Sequence, residues 1–402
     1  IAKEGDTYDE YINISPQPQA SVTVMDQYTG QIKAMVGGRG AKTTSRSLNR
    51  AYKGSPRQPG STFKILAGYA PALDSAGQTL ATIIKDEPYT YRDGTPLKNA
   101  SATHRGDITM REAIQWSVNV CAVKTIEAIT PKLGYEYCTE KFGITSLDPQ
   151  NDVYDTLVLG GLSKGVYNYQ LCAAYASIAN GGVYNTPTLY TKILDHDGNV
   201  LLEGAGESHT ALKDSTAALL TSAMETVVES GTGTACRLDN MPVAGKTGTT
   251  DSNKDLWFCG FTPYYTCAVW GGYDDGKVNG YDLNFRFRIW RGIMSRIHAN
   301  LEYKDFEMPN SIEKKTVCTR TGKLAAPGCP TITEYFAKDT APTESCPGHV
   351  DTTPKEDDTD DEDTTDNPDA NTQTPTDPNQ GGGTQEPTPT PTPTPDPEPT
   401  PP

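Results

Sequence analysis

Pro59-Gly60-Ser61-Thr62-Phe63-Lys64 is the stretch on which the reading of this chain turns. Pro-Gly breaks the backbone and a helix-compatible run follows, which predicts a helix over Thr62 to Ala72 with Ser61 at its start. Ser61 and Lys64 then stand at i and i+3 on one helical face, where the lysine amine can reach the hydroxyl. Lysine acts as a base only if its pKa falls well below about 10.4, through burial or a neighbouring cation. The helix start also offers unpaired backbone N–H groups that can stabilise an oxyanion. The bland reading of the same serine is an ordinary helix N-cap.

Two further patterns follow in order along the chain. Ser117-Val118-Asn119 and Lys246-Thr247-Gly248-Thr249 complete an S-x-x-K, S-x-N, K-T-G set of the kind that carries acyl-serine chemistry. Each alone is weak, since about one chance S-x-x-K or S-x-N is expected in a chain of this size. Ser311-Ile312-Glu313-Lys314 and Ser47-Leu48-Asn49 are such extra matches, whereas K-T-G occurs once. Ser117 and Asn119 follow a helix-like run and can face a cleft together only from a turn or a helix end; otherwise they satisfy their own backbone. Lys246 to Thr249 reads as a strand, and glycine inside a strand marks close approach of a ligand or another backbone. As an edge strand it would bind an extended peptide through main-chain hydrogen bonds, with Lys246, Thr247 and Thr249 holding a terminal carboxylate. Lys246 is also the candidate cation that would lower the Lys64 pKa.

A competing signal is Gly161-Leu162-Ser163-Lys164-Gly165, a match to the nucleophile-elbow pattern G-x-S-x-G. That fold needs regular strand–helix alternation downstream, and the sequence lacks it.

Beyond the motifs, Ala20 to Met25 alternates with period two, Asp26 to Gly30 supplies turn chemistry, and Gln31 to Val36 returns, predicting a β-hairpin. Helical patterns cover Met110 to Ile129, Tyr135 to Phe142, Asn168 to Ala179 and Asp214 to Glu229, the last capped by Asp214 or Ser215 and ended by Gly231. A second small hairpin is expected within Leu189 to Leu202, and short strands within Val243 to Thr249, Leu256 to Phe261 and Tyr265 to Trp270. Strands at both ends with helices between imply a mixed sheet built from sequence-distant pieces, with a helical lobe beside it and a cleft between. The expected organisation is a linker remnant over 1–18, a catalytic domain over 19–300, a cysteine-containing extension over 301–350 and an acidic Pro/Thr-rich tail over 351–402, too poor in apolar residues to order itself.

Of the formal net charge of −16, the tail contributes −13, leaving −3 for the first 350 residues. No basic stripe exists, which argues against a nucleic-acid partner. No run of 18 or more apolar residues is present, and the chain begins at Ile1. It therefore reads as a fragment or processed form whose upstream anchor is missing. The nine cysteines include no C-x-x-C pair and the five histidines are scattered, so no metal site is expected. Cys318, Cys329 and Cys346 cluster in a loop-rich stretch, consistent either with disulfide bonding in an oxidising compartment or with unpaired thiols.

With Asn49-Arg50-Ala51, Arg57 to Lys64, Gly182-Val183, Gly231-Thr232-Gly233, Gly245 to Thr250, Asp255-Leu256-Trp257-Phe258 and Gly260-Phe261-Thr262-Pro263 on the page, the chain resembles the class A penicillin-binding proteins from about Gln19 to Pro309. The resemblance implies an α+β fold like that of the serine β-lactamases and penicillin-binding proteins, an antiparallel sheet flanked by helices with a helical lobe, followed by a disordered tail. It implies a D,D-transpeptidase on the extracytoplasmic face of a bacterial membrane, of Gram-positive type, needing no cofactor. Its partners would be peptidoglycan stem peptides, as D-Ala-D-Ala donor and amine acceptor, and β-lactams. Ser61 would be the nucleophile, Lys64 its base, and Ser117 the proton relay to the leaving amine. Asn119 would bind the donor amide, and Lys246, Thr247 and Thr249 its carboxylate, with Gly248 between them in the binding strand. Backbone N–H groups of Ser61 and Thr249 would form the oxyanion hole. A membrane helix and a glycosyltransferase domain, usual in that class, are not in this sequence. The rival readings are a D,D-carboxypeptidase or β-lactamase-like hydrolase, and a non-catalytic β-lactam sensor module.

Overall fold

The alternating segment near the N-terminus forms the expected hairpin, Gln19–Met25 (β1) and Ile32–Val36 (β2), closed by a turn in which Gly30 takes φ 75°. In this computed structural model the described residues are 17–349, except 43, 102, 205, 279 and 281. The tail and nearly all of the linker remnant expected from the sequence therefore lie outside the described residues. Chain order then gives Ile83–Asp86 (β3) and Gly106–Thr109 (β4), a small antiparallel pair, and the three late strands Ala244–Thr249 (β5), Asp255–Phe261 (β6) and Thr266–Gly272 (β7).

The central sheet runs β5-β6-β7-β1-β2, so the N-terminal hairpin adds onto strands more than two hundred residues later, Val22 facing Val269. Every pairing in it is antiparallel, which corrects the mixed sheet expected from element order alone. β5 is at one edge. The period-two pattern of β1 does not mean one wet face. Val22 and Val24 pack with Phe258, Val269, Trp290 and Met294 on one side, beneath the helix Phe285–Ile297. Ser21 and Thr23 face the other side and are equally buried, where Asn168 Nδ2 donates to Ser21 O (3.4 Å) from the helix Asn168–Ala179. Helices cover both faces, and the Asn168 amide N–H groups are taken up by Ser21 O, Ser21 Oγ and Ala268 O, while the Thr23 hydroxyl and Asn168 Oδ1 are buried without a partner among the described residues.

The helical lobe begins at the quoted stretch. A 3₁₀ turn, Gly60–Thr62, opens into a wide π-type segment, Lys64–Tyr69, and closes as a short α-helix, Ala70–Asp74 (α1). Pro71 has no N–H to give to Ala67, and the ladder widens where that bond is missing, the Ala70 N–H reaching back to Ile65 O. The pattern over Met110 to Ile129 predicts one helix, and two are found: Met110–Gln115 (α2) and Asn119–Ile129 (α3). Between them Ser117 takes φ 55°, a left-handed conformation that ends α2. The remaining helices are Pro131–Glu136 (α4), Asn168–Ala179 (α5), Asp214–Ser230 (α6) and Phe285–Ile297 (α7). At α6 the capping position is Lys213, with Asp214 in the first turn, where the sequence suggested Asp214 or Ser215; Gly231 does end it. The second small hairpin forms from Lys192–Leu194 and Val200–Glu203. After α7, Ile312–Cys318 (β8) and Thr331–Ala337 (β9) make a C-terminal hairpin.

Candidate active site

Three structural pieces from distant parts of the sequence meet at one place: the start of the Gly60–Asp74 helical run, the α2–α3 turn and edge strand β5. Their approach depends on two glycines. A Cβ on Gly248 would lie 2.6 Å from Pro59 O and 2.8 Å from Thr62 Cγ2, and one on Gly60 would lie 2.7 Å from Thr249 O. The close neighbour of the β5 glycine is thus the backbone that precedes Ser61. Behind this contact, the Trp257 indole donates to Gln58 O (2.8 Å) and Arg57 stacks 4.4 Å over the Trp270 ring while pairing with Asp274 at 2.6 Å. The Asp-x-Trp-Phe phrase in β6 therefore positions the residues leading into Ser61.

Ser61 is partly exposed, inside the first helical turn. The capping position is Pro59, which makes no side-chain cap, so the N-cap reading of Ser61 does not describe this turn. Lys64 is fully buried. Its Nζ lies 2.5 Å from Ser117 O, 2.5 Å from Asn119 Oδ1 and 3.2 Å from Ser117 Oγ. Among the described residues its hydrogen-bond partners are these and not the Ser61 hydroxyl, a difference from the direct contact that i,i+3 spacing suggested. Two carbonyl-type acceptors across the cleft draw the amine off its own helix face. Lys246, fully buried on β5, donates to Ser117 Oγ at 2.7 Å and to Thr247 O at 3.2 Å. Ser117 is thereby held between two lysine amines, and neither lysine is ion-paired among the described residues.

Burial without a carboxylate disfavours both ammonium forms. The Lys64 amine is held well below the ordinary lysine value, first by burial and then by the nearby charge of Lys246. Burial alone draws Lys246 down to about 7. The cation expected beside Lys64 is where the sequence reading placed it, though desolvation is the larger cause.

Asn119 opens α3, and its backbone N–H and that of Val120 both donate to Asn99 Oδ1 (2.9 and 3.2 Å). Its own Nδ2 donates to Lys98 O (2.7 Å). This cap comes from a residue twenty positions earlier, so no local capping signal could reveal Asn99. Thr247 is buried and its hydroxyl shares a 2.9 Å hydrogen bond with Thr232, the middle residue of Gly231-Thr232-Gly233; Thr249 is exposed at the strand end. Asn99 is the site neighbour that motif reading missed, and Thr232 enters that reading only within Gly231-Thr232-Gly233, with no role. A cleft of about 300 Å3 adjoins Ser117, lined by Asn99, Ser101, Arg105, Trp116 and Val118 among others.

The decoys fall elsewhere. Ser163 donates its hydroxyl and backbone N–H to Asp152 (3.0 and 2.7 Å), a turn-forming role. Lys314 lies exposed on β8, whereas the Ser311 hydroxyl, in the turn before that strand, is buried with no hydrogen-bond partner among the described residues, so the two form no pair.

At this place an edge strand and a helix start enclose a serine and two buried lysines. The chain belongs to the penicillin-binding protein family: the description "Penicillin binding protein transpeptidase domain" matches residues 20–295. Within it this is a class A member, since "Penicillin-binding protein 1A, C-terminal domain" matches residues 308–351. A penicillin-binding protein 1A of Clostridium botulinum (strain Hall) is 37% identical over 352 residues, 83% of this chain and 42% of its own length. Penicillin-binding protein 1A/1B of Bacillus subtilis is 31% identical, over 84% of this chain and 38% of its own. The chain thus spans less than half of these curated relatives. In fold it is similar to the crystal structure of penicillin-binding protein 1A from Haemophilus influenzae, with a TM-score of 0.72 at 24% identity, covering 82% of this chain and 54% of that one. PonA1 from Mycobacterium tuberculosis, solved in complex with penicillin V, superposes with a TM-score of 0.65 at 24% identity, covering 74% and 82%.

Proposed function

We propose that this chain is a D,D-transpeptidase that cross-links peptidoglycan stem peptides through an acyl-serine intermediate on Ser61. The observation that carries the reading is the pair of buried lysines, Lys64 and Lys246, meeting at the Ser117 hydroxyl with no carboxylate between them. A neutral Lys64 amine spends its two N–H groups on Ser117 O and Asn119 Oδ1, which leaves its lone pair as the base.

In the proposed sequence Ser61 Oγ attacks the penultimate D-alanine carbonyl and Lys64 takes its proton. The oxyanion is held by the backbone N–H groups of Ser61 and Thr249, which the Gly60 to Thr249 contact brings near one another. Ser117 passes its proton to the departing D-alanine amine as the C–N bond breaks, and the lysine amines replenish it. An acceptor amine from a neighbouring stem then attacks the ester and restores the Ser61 hydroxyl. Edge strand β5 lies where an extended donor stem can pair, with Lys246, Thr247 and Thr249 toward its carboxylate and Asn119 toward its amide. β-Lactams would acylate the same serine, and the work would take place outside the cytoplasm on the bacterial wall.

The test is mass spectrometry of the chain incubated with labelled penicillin. A long-lived adduct on the Ser61 peptide, lost in Ser61→Ala, is expected, together with cross-linked dimers from a stem pentapeptide. Rapid multiple turnover of the penicillin would favour a hydrolase, an adduct without cross-linking would favour a sensor, and an adduct on another residue would remove Ser61 from its role.

A further inference from the structure

The C-terminal hairpin and the loop after it carry three cysteines and a histidine whose sequence spacing shows no full metal motif. In the fold they converge. Sγ of Cys318, Cys329 and Cys346 and a ring nitrogen of His349 all lie within 4.8 Å of one another. His349 Nε2 is 3.0 Å from Cys318 Sγ and 3.5 Å from Cys346 Sγ. Metal–sulfur bonds of about 2.3 Å in a tetrahedron set sulfurs a little under 4 Å apart, so small adjustments of these four groups form such a shell. The backbone around the ligands is already pinned. The Cys318 N–H donates to Lys323 O, the Gly322 N–H to Cys318 O and the Cys346 N–H to Leu324 O, each at 2.8 Å, and the Cys329 N–H donates to Ala326 O at 3.1 Å.

We propose that Cys318, Cys329, Cys346 and His349 form a structural Zn2+ site that clamps the C-terminal hairpin. Three thiolates and one imidazole are a donor set that suits this ion, and four protein ligands leave no open position for catalysis. Binding turns three thiols into thiolates, releases three protons, and leaves the histidine neutral, bound through Nε2. A disulfide would use two of the three sulfurs and strand the third beside the imidazole, whereas the ion engages all four groups.

The hairpin also has need of a clamp. Among the described residues its own buried apolar cluster is Ala81, Val317 and Phe336, with Ile332 and Ala341 partly buried against it, and Ala81 belongs to the helical lobe. A module with so small a core is stabilised by a cross-link or a metal. The expectation of no metal rests on the lack of C-x-x-C pairs; the one local hint is Cys346-Pro347-Gly348-His349, two ligand types separated by two residues. The inference is independent of the chemistry at Ser61.

The experiment is metal analysis of the full 402-residue chain, purified and reduced, then loaded with Zn2+ or Co2+ and freed of excess ion. One ion per chain is expected, and the Co2+ form should show thiolate charge-transfer absorption with the intense visible bands of tetrahedral cobalt. Cys329→Ser, at a half-exposed position, and His349→Ala should each lose stoichiometric metal while circular dichroism reports an otherwise folded chain; His196→Ala, at an exposed histidine, should keep it. A reduced chain that takes up no ion overturns the proposal. So does metal retained in both ligand variants, or a Co2+ spectrum without thiolate bands.

Discussion

Lys246 sits fully buried with no carboxylate partner among the described residues, and its amine is drawn to about 7 against an ordinary 10.5. Between those two values the unfolded chain binds a proton that the folded chain lacks, so stability rises with pH through that window. Below it the whole cost is present, on the order of 5 kcal/mol at 1.36 kcal/mol per pKa unit. Lys246→Met should therefore unfold at higher denaturant than the parent below pH 7, with the gap narrowing toward pH 10.5. Denaturation at several pH values measures it, and a gap that does not change with pH would mean that Lys246 is not buried as an amine. The same variant should be acylated about 10²–10³-fold more slowly, the usual cost of deleting one preorganised donor. Acylation of the parent should also slow as pH falls through the lowered pKa of Lys64, because protonation removes the base. That Lys64 needed burial or a nearby cation was readable from S-x-x-K chemistry. That its amine would rest on Ser117 and Asn119 was not, since those acceptors come from another element.

The contact between β5 and the start of the Gly60–Asp74 run sets how the binding strand faces the nucleophile. Gly248 is the tightest point, with Pro59 O, Thr62 Cγ2 and Trp257 Cβ all within 3 Å of where a Cβ would stand. Two of the three belong to backbone or to a short side chain, so Gly248→Ala must push the strand and the helix start apart. A displacement of this order, about 1 Å, costs on the order of 10²-fold in a positioned reaction. The expectation is acylation by penicillin slowed by about that factor while the chain remains folded, read by stopped-flow acylation beside circular dichroism. An unchanged rate would show that the approach of strand to helix start is not what positions Ser61. At this scale the sequence was informative about element type: β1, β2, α5 and α6 lie within a residue or two of their patterns. The helical pattern runs α2 and α3 together, and the break is foreseen only through the requirement that Ser117 and Asn119 share a cleft from a turn or helix end, because a left-handed serine at position 117 is selected by the site and not by local propensity.

Across the molecule, a buried ion pair joins the C-terminal hairpin to the helical lobe, beside the packing of Ile312 and Tyr335 against the main core. Glu334 on β9 receives Arg111 of α2 through two bonds of 2.7 and 2.6 Å, while Arg111 also donates to Ser222 O on α6 at 2.9 Å. Removing one member leaves a buried charge unpaired, so Glu334→Gln should cost about 3–5 kcal/mol in thermal or chemical unfolding. The double variant Arg111→Met, Glu334→Leu should cost distinctly less, and equal losses would mean that the pair contributes through packing alone. Such a pair joins residues 223 apart, and no reading of either neighbourhood suggests the other. By itself the sequence determined the hairpin and helix patterns, the order of the three motifs, the near-neutral catalytic part and the family, because side-chain periodicity and backbone punctuation are local properties. Only the tertiary structure decided that Lys246 reaches Ser117, that Asn99 caps α3, that Gly248 meets Pro59, and that three cysteines and a histidine share one corner. Those meetings follow from which apolar surfaces of distant segments cover one another, a choice made by the whole chain at once.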